Sequence, residues 1–172
     1  METQEILNIL SRSLCDTHTH FLGVFALDQI PSFFSQYPCA YVANTDPSSQ
    51  KGQHWVAFYH DSPTHLEFFD SYGQTPQAYN FPFPSNLSSL KYNSFPLQSF
   101  SSSVCGQYCI FFVYQRSHNC SLASIVHSLQ LIRNPDLLVR LFTRKLKTRL
   151  PSCPTLLCSA HQTCVCRTLP PH

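Results

Sequence analysis

Two runs of aromatic and β-branched residues, separated by a compact turn signal, constrain this chain more than any other stretch. Gly52-Gln-His-Trp-Val-Ala-Phe-Tyr59 reads as a strand, and Leu66-Glu-Phe-Phe-Asp-Ser-Tyr-Gly73 reads as the next. Asp61-Ser-Pro-Thr64 between them favours a turn, so the two are expected to pair as an antiparallel hairpin. In such a pair the start of one strand lies beside the end of the other. His54 and Asp70 are thereby expected at the same end of the hairpin. A carboxylate in that position fixes an imidazole's tautomer and steadies its charged form.

The third element of interest is Gln98-Ser-Phe-Ser-Ser-Ser-Val-Cys-Gly-Gln-Tyr-Cys109, followed by the apolar run Ile110–Tyr114. Clustered serines disfavour helix interiors and suit turns and caps, whereas the apolar run suits a buried helix. Cys105 then falls in the first helical turn. Unpaired N–H groups and the positive end of the helix dipole there favour a thiolate. A buried structural cysteine is the plainer alternative, because free cysteine is among the most buried residue types. The company of His54 and Asp70 tips the balance toward a nucleophile activated by a base. The chain holds four glycines, and Gly52, Gly73 and Gly106 each lie within three residues of one of these side chains. Glycine serves sharp turns and close approach, although strand ends alone would also explain Gly52 and Gly73.

At 172 residues, with 43% hydrophobic residues, 14 Phe and 8 Tyr, the chain can bury an aromatic core. The domain is expected over 1–150. A Cys- and Pro-rich tail over 151–172, with Cys153, Cys158, His161, Cys164 and Cys166, lacks apolar periodicity and is expected to be poorly ordered. Nine cysteines without tidy spacing suit a reducing intracellular compartment, nucleus or cytoplasm, and not a disulfide framework. The acidic, polar start is unlike a secretory signal. No run approaches the roughly 20 apolar residues of a membrane span, so no membrane association is expected. Cys15, His18 and His20 make an incomplete ligand set for zinc, and the tail's spacing fits no common zinc motif; no metal or other cofactor is expected.

Elsewhere, Ile6, Leu7, Ile9 and Leu10 mark a first helix, and Cys39–Ala43 marks a short buried strand. Leu90–Gln98 reads as a strand that Pro96 places at an edge or ends. Tyr79-Asn-Phe-Pro-Phe-Pro84 reads as an irregular surface arm or groove lip whose aromatics are expected to pack on the sheet, with binding a partner as the alternative. Leu122, Ile125, Val126 and Leu129 share a helical face behind a Ser121 cap. Asn134-Pro-Asp136 starts a further helix, whose end gathers Arg140, Arg144, Lys145, Lys147 and Arg149. A solvated basic face is the ordinary reading of that cluster, with nucleic acid as the alternative.

His54-Trp55, Asp70-Ser-Tyr-Gly73, Gln98 and Cys105-Gly-Gln-Tyr-Cys109, in that order, resemble the site of the adenovirus proteases (adenains) and of the related ubiquitin-like-protein proteases. Phe21-Leu-Gly-Val24 and Ala43-Asn-Thr45 add to the likeness, which runs from about Phe21 to Tyr114. The six residues between Gln98 and Cys105 match the adenain interval, while the acid at Asp70 is the SUMO-type choice. The resemblance implies an α+β cysteine-protease fold with a mostly antiparallel central sheet flanked by helices. It implies Cys105 as nucleophile, His54 as base and then acid, Asp70 as its orienter and Gln98 as oxyanion donor. Trp55 is expected to wall the imidazole, and Gly106 to support the nucleophile. The implied enzyme is a monomeric endopeptidase that cleaves viral or mobile-element precursors at Gly-containing sites, is virion-associated in the viral case, and has DNA as a candidate activator. A SUMO- or ubiquitin-like-protein hydrolase is the nearest alternative, and a non-catalytic binding module the more distant one.

Overall fold

A computed structural model describes residues 1–149, so the expected tail lies outside the described residues. Five strands form one sheet in sequential order: β1 (His20–Phe25), β2 (Cys39–Asn44), β3 (Trp55–Ser62), β4 (His65–Phe69) and β5 (Ser89–Tyr92). The two central pairings, β2–β3 and β3–β4, are antiparallel, as the hairpin reading requires. The two outer pairings, β1–β2 and β4–β5, are parallel. They can be so because helical turns and loops, not tight hairpin turns, connect those strands.

Alternation along the strands divides the core in two. Ala40, Val42, Ala57, Tyr59 and Phe69 point to one face. There they meet α1 (Thr3–Ser13), α2 (Cys105–Ser117), α3 (Leu122–Gln130) and α4 (Pro135–Arg149). Tyr41, Ala43, Val56, Phe58, Leu66 and Phe68 point to the other face, which Phe81, Phe34, Leu87 and neighbouring loop residues cover. The helices thus take one face only, and the Pro-rich arm packs on the opposite one. β2 is buried on both faces along its whole length, which explains its unbroken apolar run.

α2 is the central helix, with Tyr108, Cys109, Ile110, Phe111, Phe112 and Val113 all buried. The Phe112 ring stacks on Phe69 at 4.7 Å between centroids, fastening the helix to the hairpin. Burial of each such side chain contributes roughly 1.5–3 kcal/mol. A second tie comes from Arg116 near the end of α2, which donates to Glu67 and Asp61 and lies over the Tyr59 ring. Ser121 and Asn134 cap α3 and α4 by accepting from the Ser124 and Leu137 N–H groups.

The edge strand stops at Tyr92, well short of Pro96. Asn93 ends the ladder: its side chain accepts from the Asp70 N–H and donates to the Asp70 carbonyl, replacing strand pairing with a clamp. The Gly73 turn fits beneath the same segment. Gly73 has φ +69°, and an added methyl would lie 2.6 Å from the Phe95 carbonyl oxygen. Gly73→Ala is therefore expected to cost about 1–2 kcal/mol from the left-handed backbone alone, with more from the clash. Denaturant titration that returned the wild-type midpoint would refute this account of the turn.

Candidate active site

His54 immediately precedes β3 and Asp70 immediately follows β4. The register, with Ala57 opposite Phe69, carries both to one end of the hairpin. His54 Nε2 and Asp70 Oδ1 are 2.6 Å apart, and both side chains are buried. Asp70 is fully enclosed, and its two oxygens are saturated. Oδ1 also accepts from the Tyr72 N–H, and Oδ2 accepts from the Gln74 N–H and from the Tyr79 hydroxyl. A buried carboxylate with this many donors is held in place and held in orientation.

Cys105 is the first residue of α2, as its sequence context suggests, and the residue before it is Val104, which offers no side-chain cap. The serines upstream do not cap the helix. The missing cap costs about 1 kcal/mol, and it leaves first-turn N–H groups available to the sulfur. Burial, the largest influence on the Cys105 thiol, raises its pKa. The His54 imidazole and the backbone N–H groups of Trp55 and Gly106 outweigh burial, and the pKa ends below the ordinary thiol value. On His54, burial again is the largest influence and lowers the pKa; hydrogen bonding and charge from Asp70 and Cys105 more than offset it, raising it to about 9. The two groups are thus pushed in opposite senses toward a thiolate–imidazolium pair. His54 Nδ1, the nitrogen not held by Asp70, is buried and makes no hydrogen bond of ordinary geometry to nitrogen or oxygen. Catalytic contacts are commonly loose in a free enzyme and tighten around substrate. Cys109, one turn on, is fully buried with a thiol pKa raised well above the ordinary value by desolvation. It is chemically inert by comparison.

Gln98 is brought to the same place by the backbone: the N–H groups of Leu97 and Gln98 both donate to the Ser71 carbonyl. The Ser71 hydroxyl donates to Gln98 Oε1 at 2.8 Å, which fixes the orientation of the amide. That nitrogen donates to the Ser102 carbonyl at 2.8 Å and to the Tyr72 hydroxyl at 3.2 Å.

The rings beside the imidazole are Tyr72, at 4.7 Å, and Tyr79, at 6.0 Å between centroids. The wall expected from Trp55 is therefore supplied by these two tyrosines. Trp55 instead lines a cavity of about 550 Å³ that opens at Cys105, and its indole N–H donates to the Met1 carbonyl. The Met1 side chain in turn fills the space where a Cβ on Gly106 would sit, 3.1 Å away. A side chain at Gly106 would thus press on Met1 and Ile6, which pack against the helix start.

Tyr79, Asn93 and Met1 belong to this site and were not legible as such in the sequence. Tyr79 lay in the Pro-rich arm, where packing on the sheet was the favoured role and binding a partner the alternative. Asn93 is an isolated polar residue after an edge strand, and nothing local marks Met1. A donor for the second Asp70 oxygen was the one signal available, since a buried carboxylate requires several.

No family model matches the chain. It is 27% identical to a protease of bovine adenovirus 7 over 178 residues, covering 84% of this chain and 87% of that protein. Among solved structures, an ASFV protease superposes with a TM-score of 0.55 at 20% identity, over 84% of this chain and 66% of that one. ChlaDub1 from Chlamydia trachomatis superposes with a TM-score of 0.51 at 14% identity, over 88% of this chain and 80% of that one. The central domain of an uncharacterized Legionella pneumophila protein gives 0.52 at 16% identity, over 87% of this chain and 97% of that one. Similar to an adenovirus protease over most of both sequences and built on an α+β fold shared with such proteases, the chain is a protease whose fold suits the cysteine type.

Proposed function

We propose that Cys105, His54 and Asp70 are the catalytic triad of an endopeptidase, with Gln98 completing the oxyanion hole. One observation carries this reading: a saturated, buried carboxylate holds one nitrogen of an imidazole whose protonation is coupled to that of a helix-start thiol. The Cys105 thiolate attacks the scissile carbonyl carbon, forming a C–S bond while the carbonyl π electrons move to oxygen. Stabilising that oxyanion is the role assigned to the Gln98 amide N–H and the Cys105 backbone N–H; one such donor is typically worth ~10²–10³ in rate. Gln98 must give up its hydrogen bond to Tyr72 to serve, and that contact at 3.2 Å is the weaker of its two. As the tetrahedral species collapses, the C–N bond breaks and the His54 imidazolium gives its proton to the departing nitrogen. Water, deprotonated by the now neutral His54, then hydrolyses the thioester and restores the thiolate and imidazolium.

The substrate proposed is a protein precursor of a virus or mobile element, cleaved at Gly-containing sites. Support comes from the adenovirus relative. Arg140, Arg144, Lys145 and Lys147 are exposed along α4, and DNA remains the candidate activator for that surface. No helix among the described residues is long and apolar enough to cross a membrane.

A Gly-X-Gly–Gly peptide and a ubiquitin-like reporter, each assayed with and without DNA, test the reading; cleavage of neither, together with failure of a vinyl sulfone probe to label Cys105, would overturn it. The pH dependence has a definite sign. kcat/KM should rise with pH as Cys105 ionises, at a pH below the ordinary thiol value of roughly 8.5. It should fall again as the imidazolium loses its proton near 9. The two limbs belong to the coupled pair. An acid limb at the ordinary thiol pKa would show that no ion pair forms.

A further inference from the structure

The imidazole of His54 is the inner end of a ladder of three rings. Tyr72 lies against it at 4.7 Å with a 30° tilt between the rings, and Phe100 lies parallel to Tyr72 at 5.7 Å with only 6° between the planes. Phe100 is 82% exposed, although it lies within the loop that joins Gln98 to Cys105. One of its faces is covered by Tyr72, and the side chain as a whole is offered to solvent. Isolated apolar residues on a surface need no explanation. This one is different, because its only ring partner among the described residues is Tyr72, whose hydroxyl meets Gln98 and whose ring rests on the catalytic imidazole. The ladder also runs away from the cavity lined by Trp55, Gly52 and Met1, whose residues do not include Tyr72 or Phe100.

We propose that Phe100, backed by Tyr72, is a specificity-determining shelf for an aromatic or large apolar side chain of the substrate, on the leaving-group side of the scissile bond. The proposal rests on the protease reading above and deepens it. The side follows from the chemistry: His54 must reach the departing nitrogen, so the leaving segment passes the imidazole, and the rings stacked beyond the imidazole flank its path. The position follows from length. An extended chain advances about 3.3–3.6 Å per residue, so two ring spacings outward correspond to the second or third residue after the cleaved bond. An aromatic side chain there would extend the stack by one ring, in the offset or parallel arrangement that aromatic pairs favour. The cavity that opens at Cys105, whose lining does not include these rings, would then hold the acyl segment.

Two series of internally quenched peptides around one Gly-X-Gly–Gly core test this with the full-length enzyme. One series varies the second and third leaving-side residues among Gly, Leu, Phe and Trp, and the other varies acyl-side residues at matching distances. The expected result is a kcat/KM about tenfold higher for Phe or Trp than for Gly in the leaving-side series, carried mainly by KM. Phe100→Ala should reduce that ratio to about twofold or less, and Phe100→Trp should retain it. Because Phe100 is exposed, the substitutions threaten the fold little, and a thermal scan checks this directly. A flat leaving-side profile for the wild type, a preference confined to the acyl side, or a ratio unchanged in Phe100→Ala each overturns the proposal while leaving the protease reading intact. Cleavage of no peptide, with Cys105 unreactive to vinyl sulfone, removes the protease reading and the shelf with it.

Discussion

Cys105→Ala is expected to lower kcat by on the order of 10⁴–10⁶ while leaving the unfolding midpoint close to that of the wild type. The sulfur is the only atom removed, and Ala suits a helix start no worse than Cys does. Cys109→Ala should behave in the opposite way. Cys109 is packed in the main core, 1% exposed, with a thiol that burial keeps protonated. Losing it leaves a small void worth about 1 kcal/mol of stability and should change turnover little. Mass mapping after brief treatment with a thiol-directed probe at neutral pH separates the two further, with Cys105 modified first. If Cys109→Ala abolished turnover and Cys105→Ala did not, the nucleophile would be misassigned and the triad with it.

Those two cysteines also show what a sequence reveals about such a site. A thiol at a helix start is legible, because serines before it and an apolar run after it mark where the helix begins. What the serines do there is not legible. They read as cap candidates, yet Val104 occupies the cap position and the first-turn N–H groups are left for the sulfur. The pairing of His54 with Asp70 followed from hairpin geometry alone, since antiparallel register is a local property. The parallel outer pairings were not foreseeable in this way. They depend on where the longer connections over 26–38 and 70–88 return the chain, and no local turn signal sets that. The surroundings of the imidazole were hidden for the same reason. Trp55 is next to His54 in sequence, but successive residues of an extended chain point to opposite sides, so its indole turned toward Met1. The rings that reach the imidazole come from residues further along, Tyr72 and Tyr79. Neighbourhood in sequence predicts backbone proximity; it does not predict which side chains share a site.

Asp70→Asn is expected to reduce kcat by about 10³–10⁴ and also to lower stability, and its hydrogen bonds explain both effects. The carboxylate is wholly buried and acts only as an acceptor, receiving two donors on each oxygen. An asparagine amide must place an NH₂ where one oxygen was. If the nitrogen takes the Oδ2 position, it confronts the Gln74 N–H; if it takes the Oδ1 position, it confronts the Tyr72 N–H. Neither backbone donor can reverse, so each orientation leaves a buried N–H facing another N–H, at a cost of about 1–3 kcal/mol. For a domain of this size that is a fall of about 2–4 °C in Tm per kcal/mol. The kinetic loss has a separate origin. In the Oδ1-nitrogen orientation His54 Nε2 also meets a donor, which favours the imidazole tautomer with its proton on Nδ1, the side that should accept from Cys105. Even in the better orientation, the neutral amide no longer offsets the imidazolium charge, and the His54 pKa falls from its raised value. The alkaline limb of the pH profile should therefore move to lower pH as well. Measuring Tm, kcat and that limb on one preparation distinguishes the two roles. A variant that loses several degrees of Tm but keeps kcat within tenfold and the alkaline limb near 9 would show that Asp70 only organises its loop.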